Sequence, residues 1–123
     1  RDRLELNVLH DRNPQFVVLS DGSIRNGYTV KILNMVPVKR EMELSLDGLE
    51  GATMVMEPGG EAEGRVLKLF IEPDVAQPFR IFIKQSKQDD AEETTTFRFV
   101  IKDATLGETD SYKATFNAPE VED

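Results

Sequence analysis

The sequence predicts an all-β sandwich, and three observations predict it. Apolar and polar residues alternate along run after run, turn-forming residues separate the runs, and no window long enough for a helix carries an i, i+3, i+4 apolar stripe. Successive side chains of a strand point to opposite sides, so each alternating run has one buried face and one wetter face. Short strands at this spacing pack as two sheets over a shared core.

The runs are taken in order. Leu4, Leu6 and Val8 alternate weakly and predict a strand over 3–9; a second run covers 15–20. Tyr28, Val30 and Ile32 alternate with Thr29 and Lys31 and predict 27–36. Met42, Leu44 and Leu46 predict 40–47, and Met54 with Met56 predicts 53–57. Leu67, Leu69 and Ile71 predict 65–71; Phe79, Ile81 and Ile83 predict 79–85. Phe97, Phe99 and Ile101 predict 95–102, and Tyr112, Ala114 and Phe116 predict 111–117. The last four runs are expected to form two hairpins, 65–85 and 95–117.

Between the runs, Asp21, Gly22, Asn26 and Gly27 form two pairs whose residues tolerate positive φ, so both pairs read as structural turns. Ile24 and Tyr28 would pin the chain to the core between them. Pro58-Gly59-Gly60 opens an acidic loop ending at Gly64, and Pro73-Asp74 with Pro78 brackets a short connection. Gln88 to Glu93 is charge-dense and poor in apolar residues, which places it on a mobile loop.

The chain has 123 residues, 39% of them hydrophobic, which suits one core and one domain over 1–123. Residues 1–14 read as an N-terminal connecting segment and 118–123 as a flexible acidic tail. There is no cysteine, hence no disulfide framework, no thiolate metal site and no iron–sulfur ligand. The net charge of −8 argues against nucleic acid and against an anionic membrane surface as partners. No stretch approaches the roughly 20 apolar residues that span a bilayer. The chain starts at Arg1 rather than at methionine, so an excised piece of a longer protein is expected.

Chemistry has few candidates. His10 is the one histidine, no GxSxG nucleophile elbow is present, and no serine sits in a triad context, so no catalytic residue is expected. Asp89, Asp90, Glu92 and Glu93 are close in sequence, but a polar loop cannot separate the pKa values of a carboxylate pair. Thioethers bind cuprous copper, so Met54, Met56 and His10 make the one candidate metal set, with Met35 and Met42 in neighbouring runs. The simpler account is that these methionines fill the core.

Three stretches carry a resemblance. His10-Asp11-Arg12-Asn13-Pro14, followed by Ser20-Asp21-Gly22-Ser23-Ile24-Arg25-Asn26-Gly27-Tyr28 and Thr29 to Met35, resembles the start of the C-terminal immunoglobulin-like domain of the FixG family. Leu46 to Ala52 also looks like that family. The resemblance implies an immunoglobulin-like β-sandwich of seven to nine antiparallel strands. It further implies a parent protein with several membrane helices and a ferredoxin-like domain holding 4Fe-4S clusters. Such a parent assists copper handling and assembly of a haem–copper cytochrome c oxidase, with this domain on the periplasmic side of the inner membrane. The implied partners are oxidase subunits, a copper chaperone or the parent's own domains. The membrane is reached through the parent's upstream helices. None of the family's cluster cysteines falls here, so no cofactor site is carried over. The rival readings are a copper-binding module using Met54, Met56 and His10, and a generic extracellular adhesion or stalk domain.

Overall fold

The structure, a computed structural model, describes residues 4–57, 63–86 and 93–119. Its strands, in chain order, are β1 (Leu4–His10), β2 (Val17–Val18), β3 (Ile24–Asn34), β4 (Arg40–Asp47), β5 (Thr53–Glu57), β6 (Glu63–Gly64), β7 (Val66–Ile71), β8 (Val75–Gln85), β9 (Thr94–Asp103) and β10 (Thr109–Asn117). One antiparallel sheet runs β1-β3-β8-β5-β6, with β2 beside β1 on the same edge of β3. The other runs β10-β9-β4-β7. This is the expected immunoglobulin-like sandwich, with eight strands of five or more residues and two short ladders at β2 and β6.

The alternating residues meet between the sheets. Val30, Ile32, Met42, Leu44, Ile81, Ile83, Phe99 and Ile101 are fully buried. Each such side chain contributes roughly 1.5–3 kcal/mol relative to an exposed one. Tyr28, Phe97 and Phe99 form an aromatic centre with edge-on ring contacts of 6.0, 5.2 and 5.1 Å, the arrangement that ring quadrupoles favour.

Two expectations are corrected. The 65–85 hairpin does not form, because β7 pairs with β4 while β8 pairs with β3 and β5. The chain crosses from one sheet to the other between Ile71 and Val75. Alternation says which face is buried but not which neighbour supplies the backbone partner. The strand expected from 79 begins at Val75 and runs through Pro78. There β8 pairs with β3 on one side, while β5 does not begin to pair until Arg80. A residue without an N–H is tolerated on that open side. The 95–117 hairpin is present as β9–β10.

One end of the sandwich is held by buried polar groups. Arg40 Nε donates to Asp103 Oδ2 at 2.6 Å, and these side chains are 2% and 4% exposed. Arg40 Nη2 also pairs with Glu108. Asp103 Oδ1 accepts from the amides of Thr105 and Leu106, shaping the β9–β10 turn. Asn34 Nδ2 donates to the carbonyls of Val38 and Glu72, tying the β3–β4 and β7–β8 connections together. Near the other end, Gly48, Leu49 and Gly51 take positive φ, and Arg65 donates to the carbonyls of Gly48, Leu49 and Ala52. One guanidinium thus satisfies a loop that no strand could pair.

The segment 1–14 contains β1, so from Leu4 to His10 it is part of the sheet. Most of the acidic loop after Pro58, residues 88–92 of the charged loop, and residues 120–123 of the tail lie outside the described residues.

Removing Arg40 would leave the Asp103 carboxylate buried and uncompensated. Arg40→Ala is therefore expected to cost about 3–5 kcal/mol in urea unfolding. Burial opposes the charge on Asp103, but the Leu106 amide, Arg40 and the Thr105 amide together hold its carboxyl below the ordinary aspartate range. A depressed native pKa gives stability that is present above the unfolded value and lost as pH falls through the native one. Stability should thus decline below about pH 4, and Asp103→Asn should flatten that decline in a pH series of unfolding midpoints.

Candidate functional site

Of the family-like stretches, 10–14 and 20–35 meet where β1 pairs with β3, and β1 packs beside β10 on the same side of the sandwich. β1 ends at His10, directly opposite Tyr28 on β3, and the rings stack with centroids 4.5 Å apart. The amide of Asp11 donates to the Gly27 carbonyl at 2.9 Å, so the chain stays bound to β3 for one residue after the strand ends. Asn13-Pro14 is a cis peptide bond.

Asn26 bridges the sheets. Its Nδ2 donates to the Asn117 carbonyl at 2.9 Å, and its Oδ1 accepts from the Asn117 amide at 2.8 Å. The side-chain amide thereby offers β10 the donor and acceptor of a neighbouring strand residue. These two bonds orient the amide, so the third contact, His10 Nε2 to Asn26 Oδ1 at 2.8 Å, has the imidazole donating. His10 Nδ1 then faces Thr115 Oγ1 at 3.5 Å. The Tyr28 hydroxyl donates to the Thr115 carbonyl at 2.6 Å, a second bridge between the sheets. Leu6 N–H donates to Asp110 Oδ2 at 2.9 Å, a third.

On the outer face of the same sheet, Arg80 grips Asp11 with two nitrogens, each 2.8 Å from a carboxylate oxygen. The carboxylate lies over Gly27, where an added Cβ would stand 2.4 Å from Asp11 Oδ2. Arg80 and Arg25 both pack on the Phe82 ring, at 4.9 and 4.8 Å from its centroid. The hydrogen bonds from Arg80 hold the Asp11 carboxyl below its ordinary range. Burial, with the Asp11 charge adding to it, raises the Tyr28 phenol and keeps it protonated.

Asn26 and Gly27 are therefore not a turn. Both lie inside β3, paired with Ile83 and Phe82, and Gly27 has no positive φ. The expected turn at Asp21-Gly22 has Gly22 at φ 89 and Asp21 Oδ1 accepting from the Ser23 amide at 2.9 Å. Ile24 and Tyr28 are buried. Sequence reasoning missed Arg80, Thr115 and Asn117. They lie 45 or more residues beyond the segment that ends at Met35, and the Asn26-Gly27 pair reads the same in sequence whether it makes a turn or a clasp.

The candidate metal set does not assemble. Cross-strand pairing runs His10–Tyr28–Ile81–Met56, so three strand spacings separate His10 from Met56. At about 4.8 Å per spacing this is roughly 14 Å, far beyond a shared coordination sphere. Met54 is fully buried opposite Ile83, and Met35 is exposed on the β3–β4 connection while Met42 is buried inside β4. No group of three or more His, Asp or Glu side chains able to hold a metal occurs among the described residues. A cysteine-ligated iron–sulfur cluster does not fit this chain, which has no cysteine. Among the candidate residues, the geometry supplies cross-bracing rather than a nucleophile, a free base or a ligand set.

A sequence profile described as "IG-like fold at C-terminal of FixG, putative oxidoreductase" matches residues 1–119. The chain is 48% identical over 119 residues to the nitrogen fixation protein FixG of Rhizobium meliloti (strain 1021), covering 97% of this chain and 23% of that protein. It is 47% identical over 51 residues to protein RdxA of Cereibacter sphaeroides, covering 42% of this chain and 11% of that one. The chain thus spans about a quarter or less of these relatives. A crystal structure of a FixG-related protein from Vibrio parahaemolyticus superposes with a TM-score of 0.78 at 20% identity, covering 95% of this chain and 97% of that one; it shows the shared fold.

Asn26→Ala would strand the Asn117 amide and carbonyl, and is expected to cost about 2–3 kcal/mol. Gly27→Ala would push a methyl into the Asp11 carboxylate, for about 1–3 kcal/mol. In an Asp11→Ala background the Gly27→Ala cost should shrink, since the closest clash is gone. A double-mutant cycle by urea unfolding reads that coupling; additive costs would contradict the contact.

Proposed function

The chain belongs to the FixG family as its C-terminal immunoglobulin-like domain, and from that premise we propose that it is a docking and scaffolding module with no reaction of its own. It serves a longer membrane-bound iron–sulfur protein that assists copper handling and the assembly of a haem–copper cytochrome c oxidase, and it stands on the periplasmic side. Its partners are oxidase subunits, a copper chaperone or the parent's other domains.

One observation carries the proposal. Four polar side chains of the family-like segments are engaged with each other, with β8 and with β10: His10 with Asn26, Asp11 with Arg80 on β8, and Asn26 and Tyr28 with Asn117 and Thr115 on β10. Groups committed to holding two sheets together are poor candidates for binding substrate or metal. What this arrangement provides is rigidity, and a rigid sandwich presents its faces, edges and end loops as recognition surfaces. Fold does not choose among partners, so the family supplies the oxidase context.

The test uses the full-length protein in its host. Replacing residues 4–119 by an unrelated sandwich is expected to lower the amount of assembled oxidase in membranes, read by haem absorbance, while the iron–sulfur content of the parent is retained. Unchanged oxidase would overturn the proposal, and so would a loss of oxidase explained by loss of the parent itself. Titrating the 123-residue chain with cuprous copper is expected to give no site tighter than micromolar; a tighter one would favour metal handling instead.

A further inference from the structure

We infer that the end of the sandwich carrying the β3–β4, β7–β8 and β9–β10 connections is an apolar docking face, and that its occupant is the upstream part of the same polypeptide. This rests on the docking role proposed above and assigns it a surface and a partner.

Nine large apolar side chains are exposed among the described residues. The three of them on loops rather than strands, Met35 (47% exposed), Val38 (56%) and Leu106 (58%), all lie at this end. Val75, the first residue of β8, lines one depression with Met35, and the Phe70 ring, near the end of β7, lies under the ammonium of Lys39, which is next to Val38 in the chain. Isolated exposed apolar residues are ordinary, but several on neighbouring connections form the kind of surface that interfaces use. Leu33, Met35, Val75 and Ala76, with the polar Asn34 and Asp74, line that depression of about 250 Å³.

These connections form one rigid platform. Asn34 ties Val38 to Glu72, and the Asp74 amide donates to the Val36 carbonyl at 3.2 Å. Arg40 ties the β3–β4 connection to Asp103 and Glu108, and the Ala104 amide donates to the Glu41 carbonyl at 3.1 Å. Asp103 Oδ1 holds the amides of Thr105 and Leu106 in the turn that lifts the Leu106 side chain. Exposed apolar side chains on a braced platform are pre-organised to bind.

The occupant follows from where the chain enters. Leu4 pairs with Asn34, so β1 starts at this same end, next to Met35. The matched family places this domain at the C-terminus, and the FixG relative is covered for 23% of its length, so most of such a protein precedes the domain. A preceding segment that joins at β1 is held beside Met35, Val38 and Leu106 by the covalent link. That raises its effective concentration enough for a small apolar contact to suffice. Asp74 and Glu72 outnumber Lys39 among the exposed charges of these loops, Glu108 is paired with Arg40, and the chain carries −8, which disfavours an anionic lipid surface as the occupant.

The test is site-specific photo-crosslinking in the full-length membrane-inserted protein. A photoreactive amino acid in place of Leu106 or Val38 is expected to give an internal crosslink. This appears as a mobility shift of the single polypeptide, with the adduct mapped by mass spectrometry to residues upstream of the domain. The same probe at Lys113, on the outer face of β10, is expected to give none. Adducts at Leu106 and Val38 to a second copy, to another protein or to lipid overturn the assignment, as does yield no greater than at Lys113. An adduct to another protein would leave the docking role standing while removing this partner; unchanged oxidase in the replacement experiment removes the role itself.

Discussion

The Asn26 side-chain amide takes the place of a strand residue between β3 and β10, donating to the Asn117 carbonyl and accepting from its amide. Two stacked sheets share a core by apolar contact, which is strong but non-directional. Contact of that kind does not specify how one sheet is rotated or slid against the other. Directional bonds across the seam do, and here Asn26, Tyr28 and Asp110 supply them. Tyr28 does both jobs: its ring packs on Phe97 and Phe99 while its hydroxyl donates across to Thr115.

Other features depend on that bridge. For Asn26 to face β10, β3 must run straight through residues 26 and 27. The next residue then faces outward beneath Asp11, and only a glycine leaves room for the carboxylate. Asp11 in turn is gripped by Arg80, which joins Arg25 on the Phe82 ring. The partly exposed Asp11–Arg80 pair contributes little as an ion pair in water. Its role is geometric, holding the segment after β1 against β3. Arg40 and Asp103 do similar work at the other end from inside the core, where one guanidinium nitrogen, Nη1, has no partner among the described residues. Such a buried pair specifies one arrangement of the end loops more than it adds net stability.

The failure of the Asn26-Gly27 turn has a physical reason. Asn and Gly are favoured where φ is positive, but also where a side-chain amide must reach a backbone or where a neighbour needs the space of a missing Cβ. The dipeptide is the same in both situations. What separates them is whether an acidic group, here Asp11, arrives over the glycine. By contrast Asp21-Gly22 needs no distant partner, because the Asp21 carboxylate bonds the Ser23 amide within its own turn. His10 is another case. It entered a candidate metal set only beside Met54 and Met56, and its partners are an amide and a tyrosine ring from β3.

Period-two alternation by itself determined that the described residues form strands and connections rather than helices, which face of most strands is buried, and where most strands lie, because the pleat forces successive side chains to opposite faces whatever the neighbours are. The absence of cysteine determined just as locally that no thiolate chemistry resides in this chain. Tertiary structure alone decided which strands pair, that β7 and β8 belong to different sheets, and that His10 and Met56 lie three strands apart. It also decided that Arg80, Thr115 and Asn117 complete the clasp around Asn26 and Gly27. Those outcomes depend on contacts between residues far apart in the chain, and alternation carries no record of its partner.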